Sequence, residues 1–252
     1  MKRIIFTIAI ALLLVTPLLA APLTANQIMT KVLDTQKSDS AALDLKLTLI
    51  ETNGTQRERR IQTLSKTVGD NTSTITVFLS PESVRNTRFL SKEVNGSTEQ
   101  YIYLPALKRV KRIAASEEGG SFMGSDFSYA DMAATTYDTD QAVHTIIAED
   151  AKTYTVQSIP NKKNVYGKNV VIVDKETFLP LRVEFYDLDQ RTLLKTLVTE
   201  ETGVSEGRPI AKVVVMTTVA SGHATRLEIL QARYDMPISD NYFTQRFLET
   251  GR

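Results

Sequence analysis

Leu43, Leu45, Leu47 and Leu49 alternate with Asp44, Lys46 and Thr48, so residues 41–49 carry one apolar and one polar face. Period-two alternation predicts a half-buried strand. Before it, Ile28, Met29, Val32 and Leu33 share one helical face within residues 24–36, which predicts an amphipathic helix capped by Thr24 or Asn26. Asn53-Gly54 is a hairpin-turn signal, and residues 57–67 read as the returning strand. Further strands are predicted at 73–79 (stopped by Ser80-Pro81), at 87–94 and 99–104 around Asn95-Gly96, and at 108–113 after a Pro105-Ala106 turn. The second half offers strands at 153–159, 169–174, 181–186, 193–200, 210–219 and 225–234, then a short helix from Ser239 or Asp240 through Leu248. Turn residues at roughly 8–12-residue spacing suit a mainly β sandwich or antiparallel barrel. With no linker, repeat or composition break, residues 21–252 are expected to form a single domain. Its strands, about ten in number, must wrap a core or enclose a cavity.

The first twenty residues have a different character. Lys2 and Arg3 precede an apolar run over 4–15, interrupted by Thr7, then Pro17 and Leu18-Leu19-Ala20-Ala21. This is a secretory signal-peptide pattern, so residues 1–20 are expected to be removed near Ala20 or Ala21. The competing reading is a transmembrane anchor, which needs about 20 apolar residues. The stretch is marginal for that and carries Pro17 near its end. A bacterial lipoprotein would need Cys after the cleavage point, and the chain has none.

Composition narrows the chemistry. The 31 Thr favour pleated surface over helix. The formal charge is +1, and loss of Lys2 and Arg3 leaves 28 basic against 29 acidic residues. That balance gives no reason to expect a nucleic-acid partner. Absence of Cys excludes disulfides, thiolate catalysis and Cys-ligated metal. The two histidines, His144 and His223, lack metal spacing, so neither metal nor cofactor is expected. Gly119-Gly120-Ser121-Phe122-Met123 falls one residue short of a nucleophile elbow, because Met123 stands where Gly is needed. Glu117-Glu118 reads as a solvated loop before Gly119-Gly120. The chain is not expected to be an enzyme.

Residues 101–132 carry the most information. Tyr101 and Tyr103 lead through Pro105 to a strand with Lys108, Arg109, Lys111 and Arg112. Such a run is usually a solvated edge that discourages strand pairing. Its functional reading is a ridge contacting anionic head groups or an acidic partner. Next, Phe122, Met123, Phe127, Tyr129 and Met132 crowd behind Gly119, Gly120 and Gly124. Ser125 is placed to cap a short helix there. The segment reads as a core plug, or as a lid with glycine hinges over an apolar cavity.

These residues carry a resemblance. Tyr103-Leu104-Pro105-Ala106-Leu107-Lys108-Arg109-Val110-Lys111-Arg112-Ile113, followed by Gly120-Ser121-Phe122-Met123-Gly124-Ser125-Asp126-Phe127-Ser128-Tyr129, resembles the outer-membrane lipoprotein-sorting protein family. More narrowly, it is similar to the LolA-like branch that carries this double motif, and Thr177-Phe178-Leu179-Pro180-Leu181-Arg182-Val183-Glu184-Phe185-Tyr186 is similar to a later hairpin of the family. The resemblance implies an incomplete, strongly curved antiparallel β-barrel with helices covering the open side. It implies a periplasmic carrier that holds acyl chains of lipoprotein or lipid in an apolar cavity and shuttles them between inner and outer membranes. An inner-membrane transporter and an outer-membrane acceptor are the implied partners. It also implies an arginine that locks the lid, for which Arg57, Arg59 and Arg60 are candidates.

The expected cavity or lid residues are therefore Leu45, Leu47, Leu49, Tyr101, Tyr103, Phe122, Met123, Phe127, Tyr129 and Met132. Lys108, Arg109, Lys111 and Arg112 are the expected partner or head-group contacts, and Gly119, Gly120 and Gly124 the expected hinges. Burial of an acyl chain is worth about 0.8 kcal/mol per CH₂, so a carrier needs an apolar concave face and no catalytic group. One rival is an accessory protein of an envelope transporter or assembly complex that docks through the basic strand. Another is a lipid-modifying enzyme using Ser121 or His144.

Overall fold

The computed structural model describes residues 21–69, 71–94, 97–133, 141–162 and 164–252. The predicted leader, residues 1–20, and the Asn95-Gly96 turn lie outside them. Helix α1 (Ala25–Gln36) opens the described chain. Thr24, rather than Asn26, is its cap: the Thr24 hydroxyl accepts from the Gln27 N–H, and the Gln27 side chain accepts from the Thr24 N–H at 2.9 Å.

The strands are β1 (Ser40–Ile50), β2 (Gln56–Val68), β3 (Asn71–Ser80), β4 (Arg88–Val94), β5 (Ser97–Leu104), β6 (Arg109–Arg112) and β7 (Ala142–Glu149). They continue with β8 (Thr153–Pro160), β9 (Lys168–Asp174), β10 (Pro180–Tyr186), β11 (Leu193–Ser205), β12 (Arg208–Thr218) and β13 (Ala224–Tyr234). Short helices α2 (Tyr129–Ala133) and α3 (Gln245–Thr250) complete the set. Strand β7 is absent from the sequence reading. Ile146 and Ile147 are adjacent, and an irregularity between Ile146 and Ala148 breaks the alternation that would have revealed it.

All strands join one antiparallel sheet in the order β6-β5-β4-β3-β2-β1-β13-β12-β11-β10-β9-β8-β7. The architecture is therefore a single unclosed curved sheet rather than a sandwich of two. Its curvature follows from two contacts. The Phe89 ring on β4 lies 5.8 Å from the Tyr129 ring, and two residues on, Asp131 meets Tyr166, whose ring lies 4.8 Å from Phe185 on β10. Strands β4 and β10 are seven places apart, about 34 Å if the sheet were flat. One short segment touches both because the sheet curls around it.

Register places one residue of each alternating pair on the inner face. Across the sheet this face presents Ile102, Phe89, Phe78, Ile61, Leu45, Leu227, Met216, Leu197, Val183, Val171 and Val156. Helix α1 covers the β8–β9 end with Ile28, Met29 and Val32. The outer face of β3–β6 carries Ile75, Leu90, Tyr101, Tyr103 and Val110 under Ile238, Phe243 and Leu248 of the C-terminal segment. Arg88 fastens that segment by donating to the carbonyls of Leu248 at 2.8 Å and Glu249 at 3.2 Å, a cation closing a helix C-terminus.

Candidate functional site

The centre of the inner face is filled by the chain's own residues 119–133. Here the backbone folds into a miniature hairpin. Ser121 bridges Ser128, the Phe122 N–H donates to the Phe127 carbonyl at 2.7 Å, and the Tyr129 N–H to the Gly120 carbonyl at 3.1 Å. Its tip turns at Met123 (φ 53°) and Gly124 (φ 75°), two successive left-handed residues closed by the Ser125 N–H donating to the Phe122 carbonyl. Ser125 is not the helix cap. Its hydroxyl donates back to the Phe122 carbonyl at 2.7 Å, while Ser128 and Asp131 cap α2 reciprocally through each other's N–H.

The hairpin presses its aromatic side chains into the sheet. Phe122 is 1% exposed and sits 5.8 Å from Phe78, 5.1 Å from Phe89 and 5.6 Å from Tyr129, ring centre to ring centre. Tilted and edge-on contacts of this kind are favourable for aromatic quadrupoles. Burial pushes the Tyr129 phenol above its usual range. Phe127 joins Leu47, Leu49, Tyr166, Phe185 and Met216, and Met132 bridges both clusters.

Three polar clasps fix the hairpin to the wall. Arg59 on β2 donates to the Met123 carbonyl at 2.6 Å, at the turn itself. Its guanidinium pKa is lowered, chiefly by burial and then by the neighbouring Arg57. Asp126, 5% exposed, accepts from the hydroxyls of Thr218 at 2.5 Å and Thr225 at 2.6 Å, and lies 2.6 Å from His223 Nδ1. Asp131 accepts from the Tyr166 hydroxyl at 3.0 Å and pairs with Lys195 at 3.6 Å.

The structure brings Leu45, Leu47, Leu49, Phe122, Met123, Phe127, Tyr129 and Met132 together on the inner side. It does not bring Tyr101 and Tyr103 there. Both point to the outer face beneath the C-terminal segment, because only Ile102 between them faces inward. Of the three arginine candidates, Arg59 alone contacts the hairpin, while Arg57 pairs with Glu51 and Arg60 with Asp44. Gly124 forms the hairpin tip; Gly119 and Gly120 form its foot, where a side chain on Gly120 would sit 2.9 Å from the Glu117 carbonyl.

The basic strand divides into two pairs. Lys111 bonds Glu117 at 2.6 Å and Arg112 bonds Glu99 at 3.4 Å, whereas Lys108 and Arg109 make no ion pair among the described residues. Glu117 and Glu118 are not a loose loop: Glu117 also accepts from the Ala114 N–H, and the Glu118 carbonyl accepts from Ala130 at the base of the hairpin. Ser121 donates to the Ser125 carbonyl and His144 bonds Ser158 on β8, so these two are not neighbours. Among the described residues no group of acidic residues and histidines is placed to hold a metal. Two shallow grooves, each about 350 Å³, lie elsewhere: one along Thr98, Arg112, Ile113 and Glu118, the other along Lys66, Val68, Lys92 and Phe243.

The sequence singles out this segment as a plug or lid, but shows neither its hairpin form nor what grips it. Thr218, His223, Thr225, Tyr166 and Lys195 come from distant strands and loops, and nothing local marks them as partners of Asp126 or Asp131.

Among solved structures, the chain is similar to a DUF1329 family protein from Desulfovibrio piger (25% identity, TM-score 0.83, covering 89% of this chain and 97% of that one). It is also similar to a putative outer membrane lipoprotein-sorting protein domain from Vibrio parahaemolyticus (28% identity, TM-score 0.81, covering 89% and 98%). A LolA superfamily protein from Nitrosomonas europaea shares the fold at 21% identity (TM-score 0.73, covering 90% and 100%). No curated protein matches the sequence. A family model described as "-like: Uncharacterized protein" matches residues 70–250. The chain belongs to that family, and its fold is the one it shares with the LolA superfamily protein.

Proposed function

We propose that the protein is a periplasmic carrier that shelters acyl chains of lipoprotein or lipid on its inner face and moves them between the inner and outer membranes. The observation that carries this reading is the aromatic hairpin over residues 119–133. It fills the apolar hollow of a curved sheet yet is held to the wall by polar clasps rather than by strand pairing. Such an insert is separable from its barrel: displaced about its Gly119-Gly120 foot, it leaves Leu45, Leu47, Leu49, Phe78, Phe89 and Met216 as an apolar lining. A chain entering that space gains about 0.8 kcal/mol per buried CH₂, which offsets the loss of Phe122 and Phe127 packing. The similar putative outer membrane lipoprotein-sorting protein domain from Vibrio parahaemolyticus supports the same reading. Export to the periplasm rests on the leader pattern of residues 1–20. No helix among the described residues is long and apolar enough to cross a membrane. Native mass spectrometry of protein from the envelope, with titration of a fluorescent acyl probe, tests the proposal. Bound lipid and saturable uptake are expected; absence of both contradicts it.

One observation favours docking through the basic strand as a second reading. Lys108 and Arg109 have no acidic partner among the described residues and stand at a sheet edge, available to an acidic protein or an anionic surface. Replacing both by Glu is expected to abolish partner capture and leave acyl uptake intact. Unchanged capture returns these residues to the role of edge protection.

A further inference from the structure

The hairpin brings two carboxylates to the wall of β11–β13, and both meet donors. Asp126 is held by Thr218, Thr225 and His223, and Asp131 by Tyr166 and Lys195. The Lys195 side chain is 15% exposed and that of Asp131 9%, so their pair is largely withdrawn from water. Among the described residues Lys195 pairs with no other acid, and its ammonium also lies 5.9 Å from the centre of the Tyr166 ring, a cation–π contact. The fixed acid nearest His223 is Glu51, whose carboxylate is 3.8 Å away and already paired with Arg57. When the hairpin leaves, both carboxylates leave with it. Lys195 then remains as a cation at an apolar wall, beside the uncovered hydroxyls of Thr218 and Thr225. A low-dielectric site strongly disfavours a charge stripped of its partner.

We infer that the cargo carries an anionic group, a phosphate or carboxylate attached to its acyl chain, which takes the place on this wall that Asp126 and Asp131 hold in the closed protein. The inference rests on the carrier reading and names its substrate class. The closed hairpin then mimics the cargo twice over, with Phe122 and Phe127 standing for acyl chain and the two aspartates for its head. An anionic lipid restores the Lys195 contact as it displaces the hairpin, whereas a neutral lipid of equal chain length leaves it unmet. The site thereby discriminates by charge within a hollow that is indifferent to chain chemistry.

The test is competition between lysophosphatidylglycerol and the monoacylglycerol of the same chain, read by native mass spectrometry on the full exported protein. The wild type should take the anionic lipid in about tenfold preference, the size of one charge-assisted hydrogen bond. Lys195→Met should bring the ratio close to one while total uptake persists. Asp131→Asn should keep the preference and raise total uptake, since it weakens the competing lid contact and spares the lysine. Equal uptake of the two lipids by the wild type overturns the inference, as does a parallel shift of both lipids in both variants, which marks the pair as a mere staple. Uptake of neither lipid overturns the carrier reading itself and this inference with it. Inorganic phosphate retained by the wild type and lost from Lys195→Met, with no preference between the two lipids, assigns the wall to a free anion and overturns the lipid assignment.

Discussion

Arg59 Nη1 reaches the Met123 carbonyl at 2.6 Å, joining β2 to the tip of a hairpin 64 residues further along the chain. The bond meets the backbone at a turn built from two successive left-handed residues, Met123 and Gly124. A hydrogen bond from a charged donor is worth about 1.5–3 kcal/mol, so this contact is large enough to set how often the hairpin lifts. Arg59→Gln is expected to speed hydrogen exchange at Phe122, Ser125 and Tyr129 by about tenfold or more, with amides of β8 and β9 unchanged. Arg57→Gln, on the same strand but paired with Glu51, should leave the hairpin amides as they are.

Phe122 separates a structural plug from a displaceable one. Phe→Ala in a packed core costs about 3–5 kcal/mol. With contacts to Phe78, Phe89 and Tyr129, Phe122→Ala should lose stability of that order in urea titration. The carrier reading adds that the acyl probe should bind the variant more tightly, because the cargo then displaces less packed surface. A loss of stability with weaker binding would make Phe122 part of the lining instead.

Gly124→Val places a β-branched residue at φ 75° and should destabilise the hairpin tip by about 1–2 kcal/mol. Gly119→Ala has ordinary contacts, with Val165 at 3.4 Å from the new carbon, and should be nearly neutral in stability. Comparing urea midpoints of the two variants checks that the tip, and not the foot, is where left-handed backbone is required.

Acid sensitivity follows from the turn aspartates. Asp189 accepts from the hydroxyl and N–H of Thr192 and from the N–H of Arg191, which hold its carboxyl down to about 2. The unfolded value is about 3.9, so the contribution is fully present above that pH and fades as pH falls towards 2. Asp189→Ala should therefore lower the urea midpoint at neutral pH, and the two proteins should converge as pH approaches 2.

Much of this fold is written locally. Leucines at 43, 45, 47 and 49 alternate without a break, so β1 is legible at a glance; Gly54, with φ 84°, confirms the first turn. Strand β7 is not legible, because its bulge puts Ile146 and Ile147 side by side. Tyr101 and Tyr103 share the aromatic richness of the hairpin but not its face, and only strand register decides which way they point. The three-arginine ambiguity has the same origin. Arg57 and Arg59 share a face by periodicity, and the distinction between them lies in what the distant chain places opposite each. Sequence thus shows which residues are unusual, whereas long-range packing decides which of them meet.

In the proposed carrier, acyl chains enter where the hairpin now sits, so the most direct measurement fixes the hairpin in place. The chain has no Cys, and Asp126 and Thr225 touch across the interface, with the Asp126 N–H 3.0 Å from the Thr225 hydroxyl. The double variant Asp126→Cys with Thr225→Cys allows a disulfide between hairpin and wall, confirmed by mass before use. Acyl-probe titration of the oxidised and reduced forms should show no saturable uptake when oxidised and uptake restored by reductant. Equal uptake by both forms would contradict the account.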